Sequence, residues 1–187
     1  MIVGTGENRF VYANPEKCIG CKNCEIACGI SHENTDIFTA VQQGCRVQSR
    51  TTVVQAGDLV MPIQCRQCEN APCAVVCPTG ALYHADGMVK LSEAACIGCK
   101  VCTMVCPFGA IRMTVETKTV SNRVVKKARA LKCDLCIDKT GEIAEASCAC
   151  IQACPTKAMF LVDTDAHRKK ILEERGKEAA QVRSNKG

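Results

Sequence analysis

The chain has 187 residues with a formal net charge of +5, and it contains 18 cysteines, no tryptophan and only 3% aromatic residues. This length suits one compact domain or two small lobes that share a core, and the scarcity of rings excludes a core built on bulky aromatic side chains. The same scarcity argues against a single-stranded nucleic-acid surface, which depends on base stacking.

The cysteines indicate the compartment. The N-terminus MIVGTGENRF has no basic segment followed by an apolar one, and no apolar run approaches the roughly 18 residues of a membrane span. We therefore expect a soluble cytoplasmic protein. In that reducing compartment clustered cysteines bind metal more often than they form disulfides.

Four cysteine motifs follow one another along the chain. The third, CIGCKVCTMVC, repeats the first, CIGCKNCEIAC, almost letter for letter. The members of the four motifs, in chain order, are Cys18, Cys21, Cys24 and Cys28; Cys65, Cys68, Cys73 and Cys77; Cys96, Cys99, Cys102 and Cys106; and Cys133, Cys136, Cys150 and Cys154.

The spacing points to iron–sulfur chemistry. Three thiols at short intervals lie on a tight loop and can converge on one cluster, while a fourth cysteine followed by proline begins a new segment. In two-cluster ferredoxins this fourth cysteine ligates the other cluster. Structural zinc explains the pattern less well, because it usually takes two separated C-x-x-C pairs. The sequence predicts four [4Fe–4S] clusters with no disulfide framework.

Cluster binding changes the meaning of the net charge. An oxidised [4Fe–4S] core with four thiolates carries about −2, so four of them would turn +5 into about −3. We therefore interpret the excess of lysine and arginine as compensation for buried anionic clusters. We also expect apolar neighbours to exclude water from them: Ile19, Val75, Val76, Ile97, Val105, Phe108 and Ile111.

The segments after the motifs suggest a duplicated unit. CPTGAL (77–82), CPFGAI (106–111) and CPTKAM (154–159) share C-P-x-x-A followed by an apolar residue, whereas the first motif continues as Cys28-Gly29-Ile30. Residues 82–91, with Asp86-Gly87 in the middle, predict a β-hairpin. Alternation of Ile111, Met113 and Val115 with polar residues predicts a strand.

Several features lie outside the motifs. Cys45 and Cys148 are left over, and each is interpreted as a buried small residue or an idle thiol. Cys148 is also an alternative to Cys150 as a ligand, although only Cys150 keeps the usual spacing to Cys154. His32, His84 and His167 show no ligand spacing and are expected in surface or structural roles.

Two charged segments have simple interpretations. Between residues 112 and 132 a run of basic residues stands against the single acid Glu116, which indicates a solvated face or a docking surface for an acidic redox partner. The members of that run are Arg112, Lys118, Arg123, Lys126, Lys127, Arg129 and Lys132. The charged tail, residues 165–187, could form an exposed helix in which only Ile171 and Leu172 offer large apolar side chains.

The sequence contains no catalytic constellation. There is no G-x-G-x-x-G, no P-loop and no Ser–His–Asp group in a supporting context. With four cysteines in every motif, no cluster has an obvious open coordination position. We therefore expect an electron-transfer protein that is not itself an enzyme. The alternative is a structural or redox-sensing iron–sulfur protein.

The motifs also carry a family resemblance. CIGCKNCEIAC, QCRQCENAPCAVVCPTGAL, CIGCKVCTMVCPFGAI and KCDLC…CIQACPTKAM resemble the four-cluster iron–sulfur subunits of the dimethyl sulfoxide reductase beta-subunit type. Among their soluble relatives, the chain is most similar to the partners of carbon monoxide dehydrogenase and formate hydrogenlyase.

The resemblance implies four ligand sets, in which the first and fourth motifs exchange their last cysteines, as do the second and third. One departure is the longer gap between Cys136 and Cys150. Set A is Cys18, Cys21, Cys24 and Cys154; set B is Cys28, Cys133, Cys136 and Cys150; set C is Cys65, Cys68, Cys73 and Cys106; set D is Cys77, Cys96, Cys99 and Cys102.

The expected fold class is α+β, with two pseudo-duplicated bacterial-ferredoxin-like lobes made of short strands and helical turns around the clusters. One lobe combines 1–60 with 117–164, the other spans 61–116, and 165–187 form the tail. The resemblance implies a dehydrogenase subunit as electron donor. It implies a hydrogenase or a flavin- or NAD(P)-linked oxidoreductase as acceptor, with no nucleic acid and no direct membrane insertion.

Overall fold

The computed structural model describes residues 8–44, 47–120, 123–137 and 143–184. Within these residues the chain is a mixture of short helices and short strands, in agreement with the predicted α+β class. The strands form two-stranded antiparallel pairs, and no larger sheet occurs in the described part of the chain.

One strand pair joins the two ends of the chain. β1 (Arg9–Ala13) pairs with β8 (Met159–Asp163), so the segment before the first motif lies beside the segment after the fourth. Arg9 Nε donates to Asp163 Oδ2 at 3.2 Å at the end of this pair. The pairing brings the first and fourth motifs together, although more than a hundred residues separate them.

Three hairpins make up the remaining strands. β2 (Thr52–Ala56) pairs with β3 (Leu59–Ile63), β4 (Leu82–Ala85) with β5 (Met88–Leu91), and β6 (Arg112–Val120) with β7 (Arg123–Leu131). The prediction of a hairpin over residues 82–91 is confirmed, and Asp86 and Gly87 turn the chain with φ of 52° and 72°. The strand predicted from Ile111 onward is also confirmed.

The helices are short apart from the last one. They are α1 (Asn23–Glu33), α2 (Ile37–Gln42), α3 (Pro72–Val75), α4 (Val101–Val105), α5 (Ala149–Gln152) and α6 (Thr164–Ser184), with one turn of 3-10 helix at Glu145–Ser147. α1 packs on α5, and α3 packs on α4. Helices of the first and fourth motifs therefore meet, as do those of the second and third.

The core contains cysteines and small side chains where most proteins have rings. One group of buried residues includes Val11, Met88 and Leu135 with Cys24, Cys65, Cys133 and Cys150. The other includes Leu82, Val89 and Ile111 with Cys73, Cys96 and Cys102. This agrees with the expectation drawn from the lack of aromatic residues.

α6 covers the described part of the charged tail, and its side chains are exposed from residue 165 to residue 180. α6 has no strongly apolar face, and Ile171 and Leu172 both remain exposed, so neither side chain fastens it to the core. No helix in the described residues is long and apolar enough to cross a bilayer.

The position 116/117, where the two predicted lobes join, falls within β6, so the β6–β7 hairpin runs across it.

Candidate metal centres

The C-x-x-C step has the same backbone shape in all four motifs. The second residue between the two cysteines has positive φ each time: 69° at Gly20, 51° at Gln67, 72° at Gly98 and 58° at Leu135. A left-handed residue at this point reverses the chain direction, so neighbouring cysteines can face a common point. The sequence indicates this only at the two glycines. At Gln67 and Leu135 the side chains are fully buried, and tertiary packing holds the conformation.

Sets A and D each surround a small cavity. The cavity of set A is lined by its four cysteines, with Cys154 from the fourth motif beside three from the first. The cavity of set D is lined by Cys77 of the second motif and three cysteines of the third. Cys21 and Cys99 are the exposed members, so both sites reach the protein surface.

Sets B and C lie deeper. In set C the thiols of Cys65, Cys68 and Cys106 lie close enough to Cys73 to raise its pKa. In set B the thiols of Cys133, Cys28 and Cys136 act on Cys150 in the same way, and all four members are buried. The structure thus brings together the cysteines of each predicted set.

Neighbouring sets share a buried cluster of side chains. Cys24 of set A, Cys133 and Cys150 of set B and Cys65 of set C all lie in it. Sets C and D are joined through the second and third motifs, which contribute to both. The four sets therefore form a continuous series A–B–C–D with the exposed cysteines at its two ends.

The donor set fits a cationic metal core. Burial, with a smaller contribution from nearby thiolates, raises the pKa of Cys24 to about 12 and that of Cys73 to about 11. Buried thiolates this close together repel one another and need a positive charge between them. A [4Fe–4S] core carries that charge, and its binding would release the thiol protons.

The last cysteine of each motif accepts a backbone hydrogen bond. The N–H groups of Leu82, Ala110 and Ala158 point at the sulfurs of Cys77, Cys106 and Cys154 at 3.5, 3.4 and 3.2 Å. This explains the C-P-x-x-A repeat, because the turn after proline brings a later N–H back to the sulfur. Burial alone raises the pKa of Cys77, but the Leu82 N–H and the Thr79 hydroxyl outweigh it and lower that pKa.

In the first motif the last cysteine also accepts a backbone hydrogen bond, but from a distant segment. Cys28 lies inside α1, and its sulfur accepts from the N–H of Arg50 at 3.3 Å. Gly29 allows this approach, because a Cβ at that position would collide with the side chain of Val47. The first motif therefore has glycine after Cys28, where the other motifs have proline, because only glycine leaves room for residues 47–50.

His32 has a structural role, which is one of the two predicted for it. Its side chain is only 6% exposed. Nδ1 lies 2.7 Å from the Cys28 carbonyl oxygen and 3.7 Å from the Cys28 sulfur, while Nε2 lies 3.0 Å from Asp134 Oδ1. Arg50 Nη1 also bonds Asp134. Sequence reasoning missed this network, because 102 residues separate His32 from Asp134. His84 and His167 are exposed, as expected.

A buried cation, Lys132, and a half-buried one, Arg66, lie among the inner sets. Lys132 is 3% exposed, bonds the Cys133 carbonyl at 2.7 Å, and lowers the pKa of Cys73 and Cys133 against the larger effect of burial. Arg66 stacks on Tyr12, with its Cζ 4.9 Å from the ring centroid, and lies near Cys65 and Cys68. These positions agree with the interpretation of basic residues as compensation for anionic sites.

Cys148 is buried beside set B. Its Sγ lies 3.6 Å from the Leu135 carbonyl, and it is 1% exposed. A hydrogen bond from Cys148 lowers the pKa of Cys136, while the same bond and burial raise the pKa of Cys148. Cys148 is therefore the protonated partner of a thiolate. Cys45, like residues 138–142 of the gap before Cys150, lies outside the described residues.

The expected apolar shield is wrong for four of its seven members. Ile111 is buried, and Val76 and Val105 are half-buried, but Ile19, Val75, Ile97 and Phe108 are exposed. Ile19 and Ile97 occupy the first position between two cysteines. Both residues line the cavities of sets A and D, but their side chains are 68% and 65% exposed and do not keep solvent away from Cys21 and Cys99.

Comparison with known proteins agrees with this chemistry. Residues 56–164 match the 4Fe-4S dicluster domain, and residues 15–34 match a 4Fe-4S binding domain. An iron-sulfur protein of Rhodospirillum rubrum is 45% identical over 93% of this chain and 92% of its own length. The electron transport protein HydN of Escherichia coli K12 is 39% identical over 92% of this chain and 98% of its own length. Formate hydrogenlyase subunit 2 of the same organism is 37% identical over 86% of this chain and 85% of its own length.

The fold and the cysteine sites thus define an iron–sulfur protein of the ferredoxin type. The chain belongs to the 4Fe-4S dicluster domain family. The [4Fe–4S] cluster named by both family models is the group that the buried cysteine sets fit.

Proposed function

We propose that this protein relays single electrons through four [4Fe–4S] clusters between a catalytic dehydrogenase and a second redox enzyme. The observation that carries the proposal is the continuous series of four cysteine sets with exposed cysteines at both ends. Bound clusters would supply one-electron redox chemistry. The protein's own residues hold them, donate N–H groups to the sulfurs and balance their charge.

The ligand assignment is part of the proposal. Sets A, B, C and D each hold one cluster, with the last cysteine of every motif exchanged with its partner motif. The grouping of Cys154 with the first motif and of Cys77 with the third supports it. So do the backbone hydrogen bonds to Cys77, Cys106 and Cys154, because such bonds stabilise a thiolate ligand. The two lobes predicted from the sequence follow from the same exchange.

The exposed Cys21 and Cys99 support sets A and D as the two ends of the relay. Electrons enter or leave at sets A and D, and sets B and C carry them through the interior. HydN is named an electron transport protein and another relative a formate hydrogenlyase subunit. The second name supports a formate dehydrogenase as donor and a hydrogenase as acceptor. A carbon monoxide dehydrogenase as donor, a flavin- or NAD(P)-linked oxidoreductase as acceptor and a cytoplasmic location rest on the sequence resemblance alone.

The test is a stopped-flow reduction under anaerobic conditions. The holoprotein is mixed with formate dehydrogenase and formate, or with carbon monoxide dehydrogenase and carbon monoxide. The visible absorbance of the clusters should fall at least as fast as one of the two enzymes turns over. Reduction by methyl viologen but by neither enzyme would contradict the proposed donors. Clusters that no reductant reaches would favour the structural role.

A further inference from the structure

The β6–β7 hairpin continues beyond the core as a projecting arm. Near its base Met113 and Ala130 pack with Leu82 and Ile111. Further out, Val115 is 57% and Val124 64% exposed. We call the outer part, residues 115–117 and 123–127, the basic arm. Cross-strand pairing keeps both strands extended through this part.

The charge of the basic arm is positive. Arg123 and Lys126 are exposed, and Lys127 lies beside them with its Nζ 3.3 Å from the Ala94 carbonyl. The acid of the arm, Glu116, lies 3.2 Å from Arg129, which also pairs with Glu93 at 2.8 Å. Arg129 therefore pairs with both Glu116 and Glu93, while Arg123 and Lys126 are exposed to solvent.

The arm starts at the exposed end of the cysteine series. A Cβ at Gly98 would lie 2.6 Å from the Ala128 carbonyl oxygen, so the set D loop rests directly on β7. Ala128 pairs with Val115, and the same face of the hairpin continues through Lys126 to Val124. At about 3.3 Å per residue, Val124 lies about 13 Å beyond the loop. Cys99 and Ile97 are exposed at the foot of that face.

We propose that the basic arm and the set D loop together dock an acidic electron-transfer protein. This inference rests on the proposed function. Exposed valines between cations suit an interface with an apolar centre and a charged rim, and the positive field steers an acidic partner toward Cys99. The hairpin that touches the set A loop, β2–β3, has no basic residue in either strand, so acidic partners select the set D end of the relay.

The partner is an acidic protein and not a nucleic acid or a lipid surface. The described arm carries no aromatic side chain for base stacking. A docked protein also uses the nearest exposed ligand, Cys99, whereas binding to lipid gives that position no role. Each electron that leaves the reduced protein reduces the partner's cofactor by one electron, so the exchange balances.

The experiment compares two charge reversals of equal size. Arg123→Glu/Lys126→Glu changes the arm, and Arg168→Glu/Lys169→Glu makes the same change on exposed positions of α6. The probe is an acidic flavodoxin, mixed with each dithionite-reduced holoprotein at low ionic strength. The arm variant should transfer electrons at least tenfold more slowly than wild type, and the α6 variant less than threefold. Above about 0.5 M salt the three proteins should converge.

Two controls keep the outcomes separate. Oxidation of the reduced proteins by a small dye should be equal in all three; if no protein exchanges electrons with the dye, the proposed relay fails and not the docking site. Arg123→Gln/Lys126→Gln, a milder change, should give an intermediate rate. Equal flavodoxin rates in the arm and α6 variants would overturn the proposal. So would arm-dependent sedimentation with phosphatidylserine vesicles without any effect on flavodoxin.

Discussion

The first and third motifs begin with the same five residues, CIGCK, and end differently. In both, glycine and the following lysine have positive φ, at Gly20 and Lys22 and at Gly98 and Lys100. The last sulfur of the third motif accepts a hydrogen bond from Ala110, four residues ahead. The last sulfur of the first motif instead contacts Arg50 and His32, which Asp134 ties together. The shared CIGCK sequence thus gives both loops the same backbone conformation. The hydrogen-bond partners of the fourth sulfur differ, because they depend on which distant segments pack beside it.

The largest effect should come from breaking the exchange of last cysteines. Cys154→Ser should abolish the cluster of Cys18, Cys21 and Cys24 and remove about four iron atoms, because it leaves that core with three thiolates. The set B cluster should survive, although three of its ligands, among them Cys136, belong to the same motif as Cys154.

Electron paramagnetic resonance of the reduced variant and its iron content check this. Cys28→Ser is the matched control and should remove the set B cluster instead. A Cys154→Ser protein that keeps the set A signal and loses that of set B would contradict the exchange.

The pH response should distinguish the first motif from the third. Burial by itself lowers the pKa of His32, but Asp134 and Cys28 outweigh it and hold that pKa at about 10. Because this lies above the usual 6.5, protonated His32 stabilises the fold fully below pH 6.5, and the contribution disappears as pH rises toward 10. Burial raises the pKa of Asp134, but the hydrogen bond from His32 and the charge of Arg50 outweigh it and lower that pKa, so Asp134 stays ionised across this window.

His32→Gln should therefore lose at most roughly 5 kcal/mol at pH 6 and much less at pH 10. Guanidinium midpoints for loss of cluster absorbance, measured across this range, give the difference. His84→Gln, at an exposed position, is the control. A constant difference between wild type and His32→Gln from pH 6 to 10 would show that His32 acts only by packing.

The two glycines of the CIGCK loops should respond differently to alanine. Both have positive φ, but a Cβ at Gly98 meets the fixed backbone of Ala128 at 2.6 Å, while one at Gly20 meets the movable Val60 side chain at 3.0 Å. Gly98→Ala should cost about 3 kcal/mol and Gly20→Ala about 1–2 kcal/mol. Gly109→Ala, with positive φ and open space around it, isolates the backbone cost of about 1 kcal/mol.

Half-times of cluster loss at a fixed guanidinium concentration rank the three variants. Gly98→Ala should lose clusters fastest and Gly109→Ala slowest. Equal half-times for Gly98→Ala and Gly20→Ala would mean that the set D loop does not rest on β7 as described.

The smallest effect is expected at Cys148. As the thiol that donates to Cys136, it should be replaceable by alanine with full retention of iron, and the loss of one hydrogen bond to sulfur should shift only the set B potential. Cys150→Ala should remove the set B cluster. Iron assay and a redox titration of both variants show which of the two cysteines is the ligand. If the set B cluster stays in Cys150→Ala and is lost in Cys148→Ala, the ligand is Cys148 and not Cys150.

Local signals in the sequence predicted much of this structure. The hairpin at 82–91, the strand after Ile111 and the exposed terminal helix follow from turn residues, alternation and charge. The C-P-x-x-A repeat also marked a real structural unit, although its hydrogen bond to sulfur became evident only in the fold.

Long-range features could not be predicted in this way. The contact of His32 with Asp134 and the burial of Lys132 depend on which segments meet. The same holds for the positive φ of Gln67, whose side chain bonds the Cys133 carbonyl at 2.9 Å and the Val89 N–H at 3.0 Å. The apolar shield failed because hydrophobicity alone does not tell whether a side chain on a loop turns toward the cavity or toward solvent.

The most direct test of the four-cluster relay is the metal content of protein purified without oxygen, combined with Mössbauer spectroscopy. We expect about sixteen iron and sixteen sulfide per chain, all in [4Fe–4S] form, because four sets of four thiolates each hold one cubane. About eight iron atoms per chain, or zinc in place of iron, would contradict this expectation.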